Sequence, residues 1–137
     1  MSPNEPIRIL YADDDSDDIE LLKHSFAAFK PHIELITFPD GYDLTKYLYQ
    51  YSEFDSLPCL IIVDMNMPKF DGKVTVGVIK DLERFHNVPM VIFTTSSHPM
   101  DQKFARDNQV GFITKPINGA QMRLITEKLL THCSDAI

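Results

Sequence analysis

Hydrophobic and polar positions follow two regimes along the chain. Short apolar runs occur at 7–12 (IRILYA), 33–38 (IELITF), 59–63 (CLIIV), 90–93 (MVIF) and 111–114 (GFIT). The third and fourth are apolar at every position, the pattern of strands covered on both faces, as in a parallel sheet. The first and second alternate, which predicts strands that are less fully covered. Between them lie stripes of helical period: Ile19, Leu22, Phe26 and Phe29; Leu44, Leu48 and Tyr51; Val76, Ile79 and Leu82; Met122, Ile125 and Leu129. Each gives one apolar face to lay on a sheet. The segment 99–108 carries only Met100, Phe104 and Ala105, which predicts a short, weakly anchored helix. Ser16, Asp40, Asp71 and Asn118 stand where N-caps are expected. The prolines fall between these segments, where a missing donor and a fixed φ do least harm.

The order is therefore strand, helix, five times over. That predicts an α/β fold, a doubly wound five-stranded parallel sheet with five helices and right-handed crossovers. Ligands of such sheets sit beyond the carboxyl ends of the strands, near the point where strand order reverses.

Composition narrows the classes without changing this picture. At 137 residues the chain has the size of one domain, long enough to bury a core without staples. No apolar run approaches a membrane span, and the first ten residues lack the pattern of a secretory signal. Two cysteines, Cys59 and Cys133, spell no disulfide framework and are expected as free thiols in a reducing cytoplasm. The net charge of −7 argues against a nucleic-acid surface and leaves room for a cation.

The carboxyl ends of the predicted strands carry the candidate chemistry. Strand 1 runs into Asp13, Asp14 and Asp15, strand 3 into Asp64, strand 4 into Thr94, and strand 5 into Lys115-Pro116. Acidic residues after strand 1 also suit a helix N-terminus. Asp64 changes the weighting, because it follows a fully apolar run where an unpaired charge is costly. Carboxylates converging on one such spot repel one another, and Mg²⁺ would relieve them; it favours oxygen ligands and keeps several waters. An aspartate can also accept a phosphoryl group as an acyl phosphate. Lys115 and the Thr94 hydroxyl could then neutralise and position that group.

With these residues in place, the chain resembles the receiver domain of two-component response regulators, in the single-domain, chemotaxis-regulator-like style. The motifs are ILYADDDSDD, LIIVDMNMPKFDG, PMVIFTTSS and GFITKP, and the resemblance spans residues 6–131. It implies a flavodoxin-like sheet of order 2-1-3-4-5. It implies Asp64 as phosphoacceptor, Asp14 as a direct Mg²⁺ ligand, Asp13 acting largely through water, and the main-chain carbonyl of Asn66 as a further ligand. Thr94 matches the switch hydroxyl, Lys115 the invariant lysine and Phe112 the aromatic switch position. The Lys115–Pro116 bond is cis in many relatives. The resemblance implies a cytoplasmic signalling module and not an enzyme. Its expected donor is a sensor histidine kinase or a histidine phosphotransfer protein. The output is expected through a protein partner, with no output domain, nucleic acid or membrane, and a homodimer is possible through helix 4, strand 5 and helix 5. Thr95 and Lys73 depart from the commonest pattern and bear on phosphate lifetime.

Two other classes compete. An aspartate-nucleophile phosphatase would need a second Asp two residues after the first, where this chain has Asn66. A flavodoxin-type binding module would need a Ser/Thr/Gly-rich phosphate loop after strand 1, and residues 13–20 are the opposite, with six of eight acidic.

Overall fold

The computed structural model describes residues 7–29, 32–116 and 119–133. Strands β1 (Ile7–Ala12), β2 (Ile33–Phe38), β3 (Leu60–Val63), β4 (Met90–Thr94) and β5 (Gly111–Thr114) alternate with helices α1 (Ser16–Phe29), α2 (Gly41–Tyr49), α3 (Gly72–Asp81), α4 (Pro99–Asp107) and α5 (Met122–Thr131). A single 3₁₀ turn, Gly119–Gln121, leads into α5. The strands pair in parallel in the order β2-β1-β3-β4-β5. The chain reverses its direction of travel across the sheet between β1 and β3, which sets the switch point there.

Strand alternation separates the core into two layers. Leu10, Ala12, Ile61, Val63 and Ile92 face α2, α3 and α4, where Leu44, Leu48, Val76, Ile79 and Ala105 meet them. Ile9, Tyr11, Leu60, Ile62, Val91 and Phe93 face α1 and α5, against Leu22, Phe26, Met122, Ile125 and Leu129. The apolar runs behave as expected for β3 and β4, buried at every position, and for the half-covered edge strand β2. β1 differs: it lies second in the sheet and is buried from Ile9 to Ala12. Its alternation came from Arg8, near the strand's start, and Tyr11, whose hydroxyl ends on a buried carboxylate, so neither marks an exposed face.

Asp40 and Asp71 cap α2 and α3 through the amides of Asp43 and Val74. Ser16 is already helical, and the cap of α1 is Asp15, whose carboxylate accepts from the amides of Asp17 and Asp18. Asn118 and the side chain of Phe29 lie outside the described residues. Leu82 is the C-cap of α3, and Tyr51 lies past α2 with its ring against Tyr47 and Phe85. α4 is as lightly held as its sequence predicts, with Ala105 its one fully buried side chain among the described residues.

The cysteines overturn the free-thiol expectation. Cys59, at the entry to β3, is disulfide-bonded to Cys133, just past α5, with Cα atoms 5.1 Å apart. The pair is 74 residues apart in sequence, and only the packing of α5 on the sheet brings it together. Among the described residues no helix is long and apolar enough to cross a membrane.

Candidate functional site

The sheet register delivers the candidate residues to one crevice. Ala12 and Val63 are partners on β1 and β3, so Asp13 and Asp64 leave the sheet side by side. The backbone then holds them: Asp64 donates to the Ala12 carbonyl at 3.0 Å and Asp13 to the Phe38 carbonyl at 3.0 Å. Thr94 and Thr114 are partners on β4 and β5, and the Lys115 amide donates to the Thr94 carbonyl at 2.8 Å. Asp13 and Thr94 are fully buried, and Asp64 and Lys115 nearly so. Asp14 is exposed at the mouth.

Lys115 Nζ lies 2.7 Å from Asp13 Oδ2, 2.7 Å from Asp18 Oδ2 and 3.2 Å from Asp64 Oδ2. Its aliphatic stem carries the ammonium across the face of Phe93. The Lys115–Pro116 bond is trans, since there is no cis peptide among the described residues, contrary to the expectation from many relatives. The ammonium is aimed instead by the carboxylates around it.

Burial would lower the lysine's pKa, but its bonds to Asp13 and Asp18 outweigh that and hold it above the ordinary value. The Asp64 carboxyl goes the other way. Burial first, then the neighbouring Asp13 charge, push its pKa above the usual carboxylate range, against the opposing pull of Lys115 and the Thr94 hydroxyl. The site therefore holds a buried carboxylate short of compensating positive charge.

Carboxylate oxygens of Asp13, Asp14 and Asp64 lie within 4.8 Å of one another. Three hard oxygen donors around a charge deficit, one of them open to solvent, fit a divalent cation that retains water. Both Asp13 oxygens are already engaged. Oδ1 accepts from the Asp15 amide, while Oδ2 accepts from the Tyr11 hydroxyl and meets Lys115. Asn66 sits on the same loop two residues beyond Asp64, with its side chain exposed. That loop is fixed from below by α3: the Gly72 amide donates to the Met65 carbonyl at 2.8 Å. A Cβ on Gly72 would stand 2.6 Å from the Asp64 carbonyl oxygen, so no other residue fits without moving the loop.

Around the rim, the Ser96 amide donates to the Thr94 hydroxyl, and Ser96 Oγ is 2.6 Å from Asp101 Oδ2 on α4. Lys73 at the start of α3 pairs with Asp101 at 3.3 Å. Thr95 is exposed. Phe112 is half-buried on β5 beside the core layer that includes Ala105 and Phe104. The structure places Asp13, Asp14, Asp64, Thr94 and Lys115 in one crevice, together with Tyr11 and Asp18, which the residue-type argument did not single out. Tyr11 reads as one more apolar strand position. Asp18 disappears into an acidic run, and the signal that picks it out is helical phase: it stands one turn past Asp14, on the side of α1 that faces the sheet ends.

The chain matches the model of the response regulator receiver domain over residues 9–127. It is 32% identical over 100 residues to response regulator Rcp1 of Synechocystis sp., covering 72% of this chain and 68% of that protein. The phosphorylated cyanobacterial phytochrome response regulator RcpA superposes with a TM-score of 0.85 at 29% identity, covering 96% of both chains. The Mn²⁺-bound form of Rcp1 superposes with a TM-score of 0.81 at 27% identity, covering 92% of this chain and 93% of that one. The strand order, the crevice at the switch point and these matches agree, and the chain belongs to the response regulator receiver family.

Proposed function

We propose that this receiver domain, residues 6–131, is a phosphorylation-controlled signalling module and that Asp64 is its phosphoacceptor. The observation carrying this reading is the Asp64 carboxylate, buried at the switch point between Lys115 and the Thr94 hydroxyl and under-compensated in charge. A carboxylate oxygen of Asp64 attacks the phosphorus of a phosphohistidine on a kinase or phosphotransfer protein. The P–N bond breaks as the P–O bond forms, and the imidazole leaves with the electron pair. Charge spreads over the phosphoryl oxygens in this transition state, so positioning and neutralisation do most of the catalytic work. Lys115 supplies one fixed positive charge and Thr94 one hydroxyl donor. Asp13, Asp14, Asp64 and the Asn66 carbonyl are the residues that would hold Mg²⁺, whose charge would neutralise the crevice and the incoming phosphoryl group. Rcp1 has been solved with Mn²⁺ and RcpA in phosphorylated form, which supports both parts of the assignment by analogy.

In this reading the new phosphoryl group draws the Thr94 hydroxyl towards it and away from the Ser96 amide. Phe112 then turns into the vacated space. Full burial of such a ring is worth roughly 1.5–3 kcal/mol, so burying the rest of the half-buried Phe112 is worth about half of that, enough to shift a two-state surface several-fold. The face of α4, β5 and α5 would carry the output, to a protein partner or to a second copy, in the cytoplasm. The phosphatase alternative loses its acid/base residue at Asn66, and the flavodoxin alternative meets Asp14 and Asp15 where a phosphate loop should be.

Labelling tests the assignment. Asp64 should take label from acetyl phosphate or a phosphorylated kinase in a Mg²⁺-dependent manner, and Asp64→Asn should take none. Full labelling of Asp64→Asn would remove Asp64 from the role. Beryllofluoride with Mg²⁺ should change amide exchange most within residues 94–116. A response confined to α1 and residues 64–73 would move the output face elsewhere.

A further inference from the structure

We propose that Asp18 is a positioning residue that competes with the phosphoryl group for Lys115 and so sets how fast Asp64 is phosphorylated. The inference rests on the reading of Asp64 as phosphoacceptor. An ammonium has three donors, and here three carboxylates surround it. The two short contacts, 2.7 Å each, go to Asp13 and Asp18, and the longest, 3.2 Å, goes to Asp64, the residue that must react. The lysine is thus drawn towards the α1 side of the crevice. Asp13 and Asp64 reach it from buried positions, with 0% and 9% of their side chains exposed, whereas 26% of the Asp18 side chain is exposed. Water can reach Asp18 and take its place, so among the three carboxylates Asp18 is the partner the lysine can leave.

Its backbone is not free to follow: the Asp18 amide is tied to the Asp15 carboxylate in the first turn of α1. The carboxylate therefore holds the ammonium closer to α1 than to Asp64, at 2.7 Å against 3.2 Å. Only interactions stronger in the transition state than before it speed a reaction. A bond from Lys115 to Asp18 is a ground-state interaction that must loosen before the ammonium can turn fully to the phosphoryl oxygens, and it slows the step.

A plainer role exists for an acidic residue here, since both Asp17 and Asp18 complement the N-terminal end of the helix dipole. Asp17 is exposed in the same turn, makes no bond to Lys115, and carries the same charge. It is the internal control.

The experiment compares wild type, Asp18→Asn, Asp18→Glu and Asp17→Asn in Mg²⁺-dependent phosphorylation by acetyl phosphate, at low salt and at about 0.5 M salt, where the Debye length falls well below 10 Å. Asp18→Asn should react about three- to tenfold faster, the scale of one net hydrogen bond, and should keep that gain at high salt. Asp18→Glu restores the carboxylate and should return towards the wild-type rate. Asp17→Asn should give at most a small gain that salt removes. Equal gains for Asp17→Asn and Asp18→Asn, a gain abolished by salt, or a slower Asp18→Asn would each overturn the proposal. Absence of labelling in the wild type would instead overturn the phosphoacceptor reading beneath it.

Discussion

Replacing Asp64 with Asn should stabilise the metal-free protein at neutral pH while abolishing phosphorylation. At an effective dielectric of about 20, the Lys115–Asp64 contact of 3.2 Å is worth about 5 kcal/mol of attraction. Asp13, with a carboxylate oxygen no more than 4.8 Å away, returns at least about 3.5 kcal/mol of repulsion on the same scale. The small remainder does not offset the several kcal/mol needed to take a carboxylate out of water, and Asp14 adds further repulsion at the mouth. Ionised Asp64 is therefore a net cost to the fold, in keeping with its raised pKa. Asn keeps the shape and removes the charge. Lys115 is not orphaned, because Asp13 and Asp18 still hold it. The expected gain is about 1–2 kcal/mol, the usual size when a functional site is relaxed. For a domain of this size that is about 4–7 °C in Tm.

The sign with pH follows from the direction of the shift. A carboxyl whose folded pKa lies above its unfolded value binds its proton more tightly when folded. Its cost is absent below the unfolded pKa, about 4 for Asp, grows as pH rises from there, and is full above the raised value. The advantage of Asp64→Asn should accordingly be small near pH 4 and large at pH 8. Differential scanning calorimetry in EDTA across that range measures it directly, and Mg²⁺ should close the gap by stabilising wild type more than the variant. A lower Tm for Asp64→Asn at pH 8 without metal would refute the reasoning, as would a gain independent of pH.

Lys115→Met removes the cation from two buried carboxylates and should cost about 3–5 kcal/mol, with Mg²⁺ restoring part of the loss in a thermal melt. Tyr11→Phe strips a buried donor from Asp13 and should cost about 1–3 kcal/mol, again partly recovered by Mg²⁺, which an isosteric surface change would not show. Reduction of Cys59–Cys133 opens a loop of 74 residues whose closure is worth up to about 4.5 kcal/mol in the chain-entropy model. Thiol titration should find both cysteines masked until denatured and reduced, and reductant should lower Tm by up to roughly 15 °C.

Much of this architecture could be read from local pattern because parallel strands covered on both faces leave near-continuous apolar runs, and β3 and β4 have them. Period also recovered α1, α2, α3 and α5, since each of these lays one stripe on the sheet. Strand ends then located the crevice, because topology alone decides where Asp13, Asp64, Thr94 and Lys115 meet. What escaped was non-local. Cys59 and Cys133 are joined only once α5 is docked. The alternation in β1 suggested solvent, but Tyr11 is a buried residue with a polar end. Asp18 contacts a residue 97 positions away, and its helical phase relative to Asp14 becomes a signal only once the sheet ends it faces are known.

The same crevice is wired to α4 by polar bonds where apolar ones are few. From Thr94 the path runs through the Ser96 amide and hydroxyl to Asp101, and from Asp101 to Lys73 at the head of α3. Bonds to Ser96 and Lys73, with burial opposing them, hold the Asp101 carboxyl below the usual range, so the charged form is the one bound. Each link is modest, about 0.5–1.5 kcal/mol for a net hydrogen bond, and the Lys73 pair is exposed enough to be screened. Against a helix with one fully buried side chain, modest is sufficient. Burying Ala105 contributes far less than burying a Leu or Phe would, so the position of α4 depends on a polar balance comparable to what one phosphoryl group can alter. An α4 carrying a full leucine stripe would be indifferent to the state of Thr94. On the proposed assignment of Asp64 as phosphoacceptor, the sparse apolar content of residues 99–107 is what would let chemistry there reach the surface.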